Sequence, residues 1–329
     1  MPRTEETAAR LAEIPNVTVL RGAPLSRYTR FGIGGPADIY AETAEVESFL
    51  RALALARASG CEVMVIGLGT NLIVSDEGFR GIVLRFTSDR LLAAGGRVMA
   101  DAGADLQALV NFTIDRGLRG LETLSGIPGS VGAAIYGNAG AYGHSISERI
   151  RLVRFFDGSS VRVFDNAACE FHYRESVFKR HKDWIIFSAE LALEAADAVE
   201  LRRTADGIFS VRNEKFPVSM KCAGSIFKNL LVAELPAKVA EQVPPHVVRE
   251  GKVPAAWFLE QVGAKGRSIG EIHVASYHAN LIYNAGGGTA RDLTALIADL
   301  KSRVRERFGF SLEEEVQYVG FASAPVPAR

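Results

Sequence analysis

Three short stretches carry side chains able to do chemistry. FHYRES (171–176) sets Tyr173 and Arg174 just ahead of a strand signal, and KCAGSIFKN (221–229) places Ser225 among Lys221, Lys228 and Asn229. LEEEVQYVG (312–320) ends an acidic run on Glu315, where the last strand begins. A fixed guanidinium neutralises negative charge where it develops in a reaction. A hydroxyl can attack, or pass a proton. Each stretch also has a plain structural reading: Arg174 as a surface ion-pair partner, Glu313–Glu315 as a solvated loop, Ser225 as a turn hydroxyl. Ser225 lies outside a G-x-S-x-G elbow, and no His or Asp partner is placed by spacing, so a serine hydrolase is poorly supported.

Glycine is dense in FGIGGPAD (31–38), IGLGTNLIVSDEGFRG (66–81) and LSGIPGSVGAAIYGNAGAYG (124–143). Glycine admits positive φ and lets successive amides line a concave anion nest, for which a diphosphate is the natural occupant. None of the three has the G-x-G-x-x-G or the G-x-x-x-x-G-K-[ST] spacing. The third mixes small residues with Tyr136, Asn138 and Tyr142, a composition suited to a flat ring system. The alternative is three surface turns.

The elements that must position these residues follow from periodicity. Residues 1–20 read as a helical lead-in, 46–58 as a helix, and 61–67 and 81–86 as buried strands, a β-α-β order. A helix is expected over 104–117, a hairpin over 151–164 around Asp157-Gly158, and a strand over 184–193. A polar helical stretch closed by Pro217 puts a domain boundary near 200. Beyond it come the KCAGSIFKN loop, a short helix in PAAWFLEQVG, and strands in SIGEIHVA and NLIYN. The last helix is the clearest: Thr289 and Asp292 have capping-box spacing, and Leu293, Ile297, Leu300, Val304 and Phe308 form its stripe. EVQYVG is the final strand.

The 329 residues are enough for roughly two domains at about 150 residues each. Lys plus Arg and Asp plus Glu number 38 each, so no basic excess points to nucleic acid or a membrane surface. Three scattered cysteines argue against a disulfide framework, and the six histidines show no metal-ligand spacing. MPRTEETAAR lacks the apolar core of a signal peptide, and no apolar run approaches the ~20 residues of a membrane span. The expectation is a cytoplasmic protein without metal.

In chain order, GLGTNLIVSDEGFRG, SGIPGSVGAAIYGNAGAYG, YRES, AGSIFKN, HANLIYN and EVQYVG closely resemble the UDP-N-acetylenolpyruvoylglucosamine reductase family, over about residues 20–320. The resemblance implies an α+β fold: an FAD-binding module of the vanillyl-alcohol-oxidase (PCMH) type in two subdomains, plus a C-terminal α+β substrate domain. The implied bounds are 1–72, with 313–329 returning to it, then 73–200, then 201–312 for the UDP-sugar. The implied reaction is NADPH-dependent reduction of UDP-N-acetylglucosamine enolpyruvate to UDP-N-acetylmuramate, through non-covalent FAD in a ping-pong scheme, for peptidoglycan synthesis.

Roles come with the resemblance. Arg174, Ser225 and Glu315 match the catalytic set: Arg174 to neutralise the developing enolate, Ser225 to donate the proton, Glu315 to hold the carboxylate region or share a proton. FAD would be held by Gly34 and Gly35; by Gly67, Leu68, Gly69, Thr70, Asn71 and Leu72; by Ser125, Gly126, Pro128, Gly129, Ser130, Gly132 and Ala133; and by Asn138 and Gly140. Tyr142, Tyr173, Lys215, Lys228, Asn229 and His278 would bind the substrate. A monomer is expected, with no nucleic-acid or membrane partner.

The chain departs from the pattern in four places. It lacks the tyrosine-bearing insertion of the longer family type, has Tyr136-Gly137 where methionine is commoner, carries Trp257 in place of a glycine-leucine pair, and has Thr70 for serine. Two other readings remain at this point: an FAD-dependent carbohydrate oxidase of the same fold, and a nucleotide-sugar-binding protein that has lost the flavin.

Overall fold

The apolar periodicities close around two units. In the computed structural model, which describes residues 2 to 321, the first unit holds residues up to Ala23, Ala37–Leu68 and Arg80–Glu214. The second holds Pro24–Pro36, Gly69–Phe79 and the chain from Lys215 on.

In the first unit the helix Val46–Ala58 turns Phe49, Ala52, Leu53 and Ala56 inward. The strands Pro36–Thr43 and Glu62–Ile66 flank it, the β-α-β order expected from sequence. They belong to a four-stranded sheet in the order Thr18–Pro24, Pro36–Thr43, Phe79–Phe86, Glu62–Ile66, the last pair parallel. The helical lead-in is shorter than expected. It ends at Ala12, and Pro15 followed by the β-branched Val17, Thr18 and Val19 turns the chain into a strand.

The second sheet of this unit is antiparallel, in the order Val161–Asp165, Ile150–Phe156, Ile185–Ala192, Arg97–Asp101, Leu91–Ala94. The 151–164 hairpin forms as expected. Asp157 Oδ1 accepts the N–H groups of Ser159 and Ser160, each at 2.8 Å, and these bonds hold its carboxyl well below the usual carboxylate range. Phe49, Phe86 and Phe187 meet edge to face at 5.2–5.9 Å and join the two sheets.

The two units divide at Glu214/Lys215. The helix Ala198–Lys215 belongs largely to the first unit, because Leu201 and Ala205 are buried in its core and Arg202 donates to Asn111 and Asp115.

The second unit is built on the antiparallel sheet Lys221–Ser225, Leu281–Asn284, Ile272–Val274, Ser268–Ile269. KCAGSIFKN is therefore not a loop. Its first half is a strand, irregular between Cys222 and Ser225. SIGEIHVA is a hairpin and not one strand, because Gly270 at φ +53 turns it. The helix Ala290–Phe308 forms its capping box from Thr289 and Asp292 and ends at Gly309, φ +77. Asp76 supports that cap, accepting the N–H groups of Ala290 (2.8 Å) and Arg291 (3.0 Å). Leu293, Ile297, Leu300, Val304 and Phe308 are buried as the stripe requires. Trp257 lies edge-on to Phe258 at 4.9 Å, part of the same core. The last strand, Gln317–Val319, pairs in parallel with Leu72–Val74. Residues 322–329 of the expected returning segment lie outside the described residues.

Candidate active site

The expected catalytic residues divide between the units: Arg174 in the first, Ser225 and Glu315 in the second. Ser225 is half-buried at the end of its strand. The backbone just after it is fixed on two sides. The Asn280 amide donates to Phe227 O at 2.8 Å and accepts Phe227 N–H at 2.9 Å, while Asn280 O accepts Ile226 N–H at 3.1 Å. Ile226 O in turn accepts Glu315 N–H at 2.8 Å, so the segments carrying Ser225 and Glu315 lie side by side. Asn71 holds Glu315 from its other side, donating from Nδ2 to Glu315 O at 2.8 Å.

Lys228 ion-pairs with Glu313, and its N–H donates to Glu313 O at 2.9 Å. Asn229 Oδ1 accepts Ala255 N–H at 3.2 Å. His278 Nδ1 accepts Asn280 N–H at 3.1 Å, which leaves the proton of its neutral form on Nε2. Burial, then the charge of Lys215, push that imidazole below its ordinary pKa. Lys215 itself is exposed, and its carbonyl accepts the Tyr277 hydroxyl at 2.9 Å.

In the first unit Arg174 sits at φ +56, donates from Nη2 to Gly140 O at 3.0 Å, and lies with Cζ 5.2 Å from the Tyr173 ring centroid. Asn138 donates to His172 O at 2.8 Å, tying the GNAGAYG stretch to FHYRES. Tyr142 is exposed at φ +54. Tyr136 packs on the core, and burial followed by the Glu175 charge raises its hydroxyl pKa. His144 pairs with Glu148 at 2.9 Å.

The glycine stretches are close-packing devices as well as amide donors. A Cβ on Gly69 would lie 1.8 Å from Tyr28 O, and one on Gly35 would lie 2.1 Å from Asp76 O. These contacts lay the 24–36 segment along 69–79 within the second unit, with Gly34 against Val74, Gly35 against Asp76 and Gly69 against Tyr28. In the first unit Gly67 abuts Ser130 Oγ, so the second and third glycine stretches also meet. The third runs beside residues 102–106, with Leu106 N–H on Gly129 O at 2.9 Å and Gly132 N–H on Ala102 O at 2.9 Å. Ser130 Oγ caps Ala133 N–H at 3.3 Å, and Gly126 N–H donates to Gln107 Oε1 at 2.6 Å.

The C-terminal-domain profile of UDP-N-acetylenolpyruvoylglucosamine reductase matches residues 216–319, and an FAD binding domain profile matches residues 37–161. The UDP-N-acetylenolpyruvoylglucosamine reductase of Solibacter usitatus is 70% identical over 94% of this chain and 100% of that protein. The chain belongs to the UDP-N-acetylenolpyruvoylglucosamine reductase family. The family's Rubrobacter xylanophilus member is 38% identical over 90% of this chain and 94% of its own. The crystal structure of UDP-N-acetylenolpyruvylglucosamine reductase from Thermus caldophilus superposes with a TM-score of 0.71 at 28% identity, covering 92% of this chain and 98% of that one. The fold is thus the α+β FAD-binding fold with a C-terminal domain.

The residues present fit the family's flavin cofactor. The Ser125 hydroxyl is 1% exposed and has no hydrogen-bond partner among the described residues. A buried hydroxyl in that state favours a ligand that supplies the missing bond. Among the described residues, none of the backbone hydrogen bonds is donated by Gly69, Thr70 or Asn71, three successive amides of the kind that hold phosphate oxygens. The HANLIYN motif by itself assigns Asn280 no task. Its bidentate grip on Phe227 depends on which strand lies beside it, and no local signal carries that. The resemblance gives Asn71 to the cofactor; its amide also fixes the Glu315 backbone.

Proposed function

We propose that this chain reduces the enolpyruvyl group of UDP-N-acetylglucosamine enolpyruvate to give UDP-N-acetylmuramate, with NADPH as reductant and FAD as cofactor, in peptidoglycan synthesis. The observation that carries the reading is 70% identity over the whole length of a reductase of that name. FAD, when bound, supplies the relay that accepts hydride from NADPH and gives it to the enolpyruvyl double bond. The residues that would hold it, non-covalently, are those of the loops 67–72 and 125–133, with Gly34, Gly35, Asn138 and Gly140.

The protein's own part is electrostatic and protic. Hydride addition to the terminal carbon drives negative charge into the adjacent carboxylate. The Arg174 guanidinium neutralises that charge as it forms, a contribution of about 2.7–4 kcal/mol for one such donor. A serine hydroxyl is a weak acid, but the carbanion-like centre beside the carboxylate is a strong base. Ser225 therefore delivers the proton to the carbon bearing the ether oxygen. The support for this role is a hydroxyl at the end of a strand whose following residues are fixed by Asn280. Glu315 orients the carboxylate region, and its backbone is held by Asn71 and Ile226. Tyr142, Tyr173, Lys215, Lys228, Asn229 and His278 bind the UDP-sugar. The bounds 1–72 with 313–329 returning, 73–200 and 201–312, for the two flavin subdomains and the substrate domain, are kept as part of this reading. No helix among the described residues is long and apolar enough to cross a membrane, and the proposal places the reaction in the cytoplasm, on a monomer.

The test is spectroscopic. FAD-loaded protein should lose its flavin absorbance under anaerobic NADPH and regain it on addition of UDP-N-acetylglucosamine enolpyruvate. Failure of either change, or sugar-driven oxygen consumption in its place, refutes the reading.

A further inference from the structure

We propose that Lys179 is the positioning residue for Arg174. The inference rests on the reading of Arg174 as the group that neutralises the enolate. His172 and Glu175 exchange two backbone hydrogen bonds, at 3.0 and 3.2 Å, so Tyr173 and Arg174 form the tip of a tight turn. Arg174 occupies the left-handed region there, at φ +56. A side chain other than glycine stays in that region only where its surroundings hold it. What holds it lies five residues on. Lys179 Nζ donates to Arg174 O at 2.7 Å, a charge-assisted bond. Its ion pair with Glu175 is longer, at 3.7 Å, so the carbonyl is the lysine's closer partner.

The lysine is in turn fixed from below. The fully buried Ser176 hydroxyl accepts Lys179 N–H at 3.3 Å and donates to Tyr136 O at 2.7 Å. The guanidinium end of Arg174 is held separately, by Gly140 O and the Tyr173 ring. Removing the ammonium therefore releases the backbone end of the arginine and lets the turn relax, while the side chain keeps its other contacts. A shift of that kind lowers the rate of the charge-developing step without removing a binding contact; an ~1 Å misplacement costs up to about a hundredfold.

The experiment compares K179M, which keeps the apolar stem, with K179R, which restores a donor, and with R174K as reference. Each holoenzyme is followed by thermal melting, by both half-reactions under rapid mixing, and by calorimetric titration with UDP-N-acetylmuramate. In K179M, reoxidation by the enolpyruvyl sugar should slow about ten- to a hundredfold. Flavin reduction, Tm and affinity for the UDP-sugar should change far less, and K179R should recover most of the rate. A crystal structure of K179M should show Arg174 displaced. Wild-type reoxidation in K179M, with R174K impaired, overturns the inference alone. Wild-type reoxidation in R174K overturns the Arg174 reading instead. Equal slowing of both half-reactions with a large fall in Tm marks a merely structural lysine. Weakened UDP-sugar binding at unchanged maximal rate marks a substrate contact. Either of these last two results also overturns the inference.

Discussion

Exchanging Asn280 for aspartate changes one atom type at the point where the Ser225 and Glu315 segments are joined. Asn280 is 2% exposed, and its two amide atoms serve the C=O and N–H of Phe227. In N280D one oxygen still accepts Phe227 N–H, but the other faces the Phe227 carbonyl with no proton to give. The lost bond costs about 1 kcal/mol, and the unpaired buried carbonyl about 1–3 more, so about 2–4 kcal/mol in all at alkaline pH. A protonated carboxyl restores the donor. Burial and the facing carbonyl both raise the folded-state pKa of this aspartate above its unfolded value near ~3.9. Between the two values the folded chain binds the extra proton, so the variant's stability is present at low pH and lost as pH rises through the folded pKa. At about 1.4 kcal/mol per pKa unit, 2–4 kcal/mol corresponds to an elevation of about 1.5–3 units, so the loss begins near pH 4 and is complete by about pH 5.5–7. Urea denaturation of wild type and N280D at pH 4 and pH 8 measures the difference directly. The variant should lie within about 1 kcal/mol of wild type at pH 4 and fall 2–4 kcal/mol below it at pH 8. A deficit that is the same at both pH values, or under ~0.5 kcal/mol at pH 8, refutes the reasoning.

Two further outcomes follow from the packing. G69A should lower stability by about 3 kcal/mol or more, read as a fall in Tm, since its Cβ would lie 1.8 Å from a backbone oxygen at φ +64. A variant that melts with wild type removes the packing account of that loop. Native protein at pH 8 should be alkylated at Cys61 alone, because Cys169 and Cys222 are buried and burial pushes the Cys169 thiol up to about 12. Labelling of Cys169 before denaturation, seen by mass spectrometry, contradicts the buried core around it.

What was legible in the sequence was local. The helix Ala290–Phe308 writes its cap and its stripe within one stretch, and the 151–164 hairpin carries its own turn residues. What depends on distant pairing was not legible. Lys221–Ser225 reads as a loop because its strand character comes from Leu281–Asn284, some 60 residues away. The 24–36 and 69–79 segments join the second unit through contacts such as Gly69 on Tyr28, which no periodicity announces. SIGEIHVA shows the limit at short range: Gly270 sits inside an apparently continuous strand and folds it back. Among the candidate residues, Arg174, Ser225 and Glu315 were singled out by the family resemblance, and nothing in the sequence marked the left-handed turn under Arg174 or the Asn280 amide on the residues after Ser225. Both are backbone facts, set by φ angles and by hydrogen bonds across strands.

The role of Ser225 is tested most directly by following the two half-reactions of S225A separately. NADPH should bleach its flavin at close to the wild-type rate, while recovery with UDP-N-acetylglucosamine enolpyruvate should slow by about a hundredfold or more. Recovery at the wild-type rate, or an equal loss in both halves, would contradict Ser225 as the proton donor.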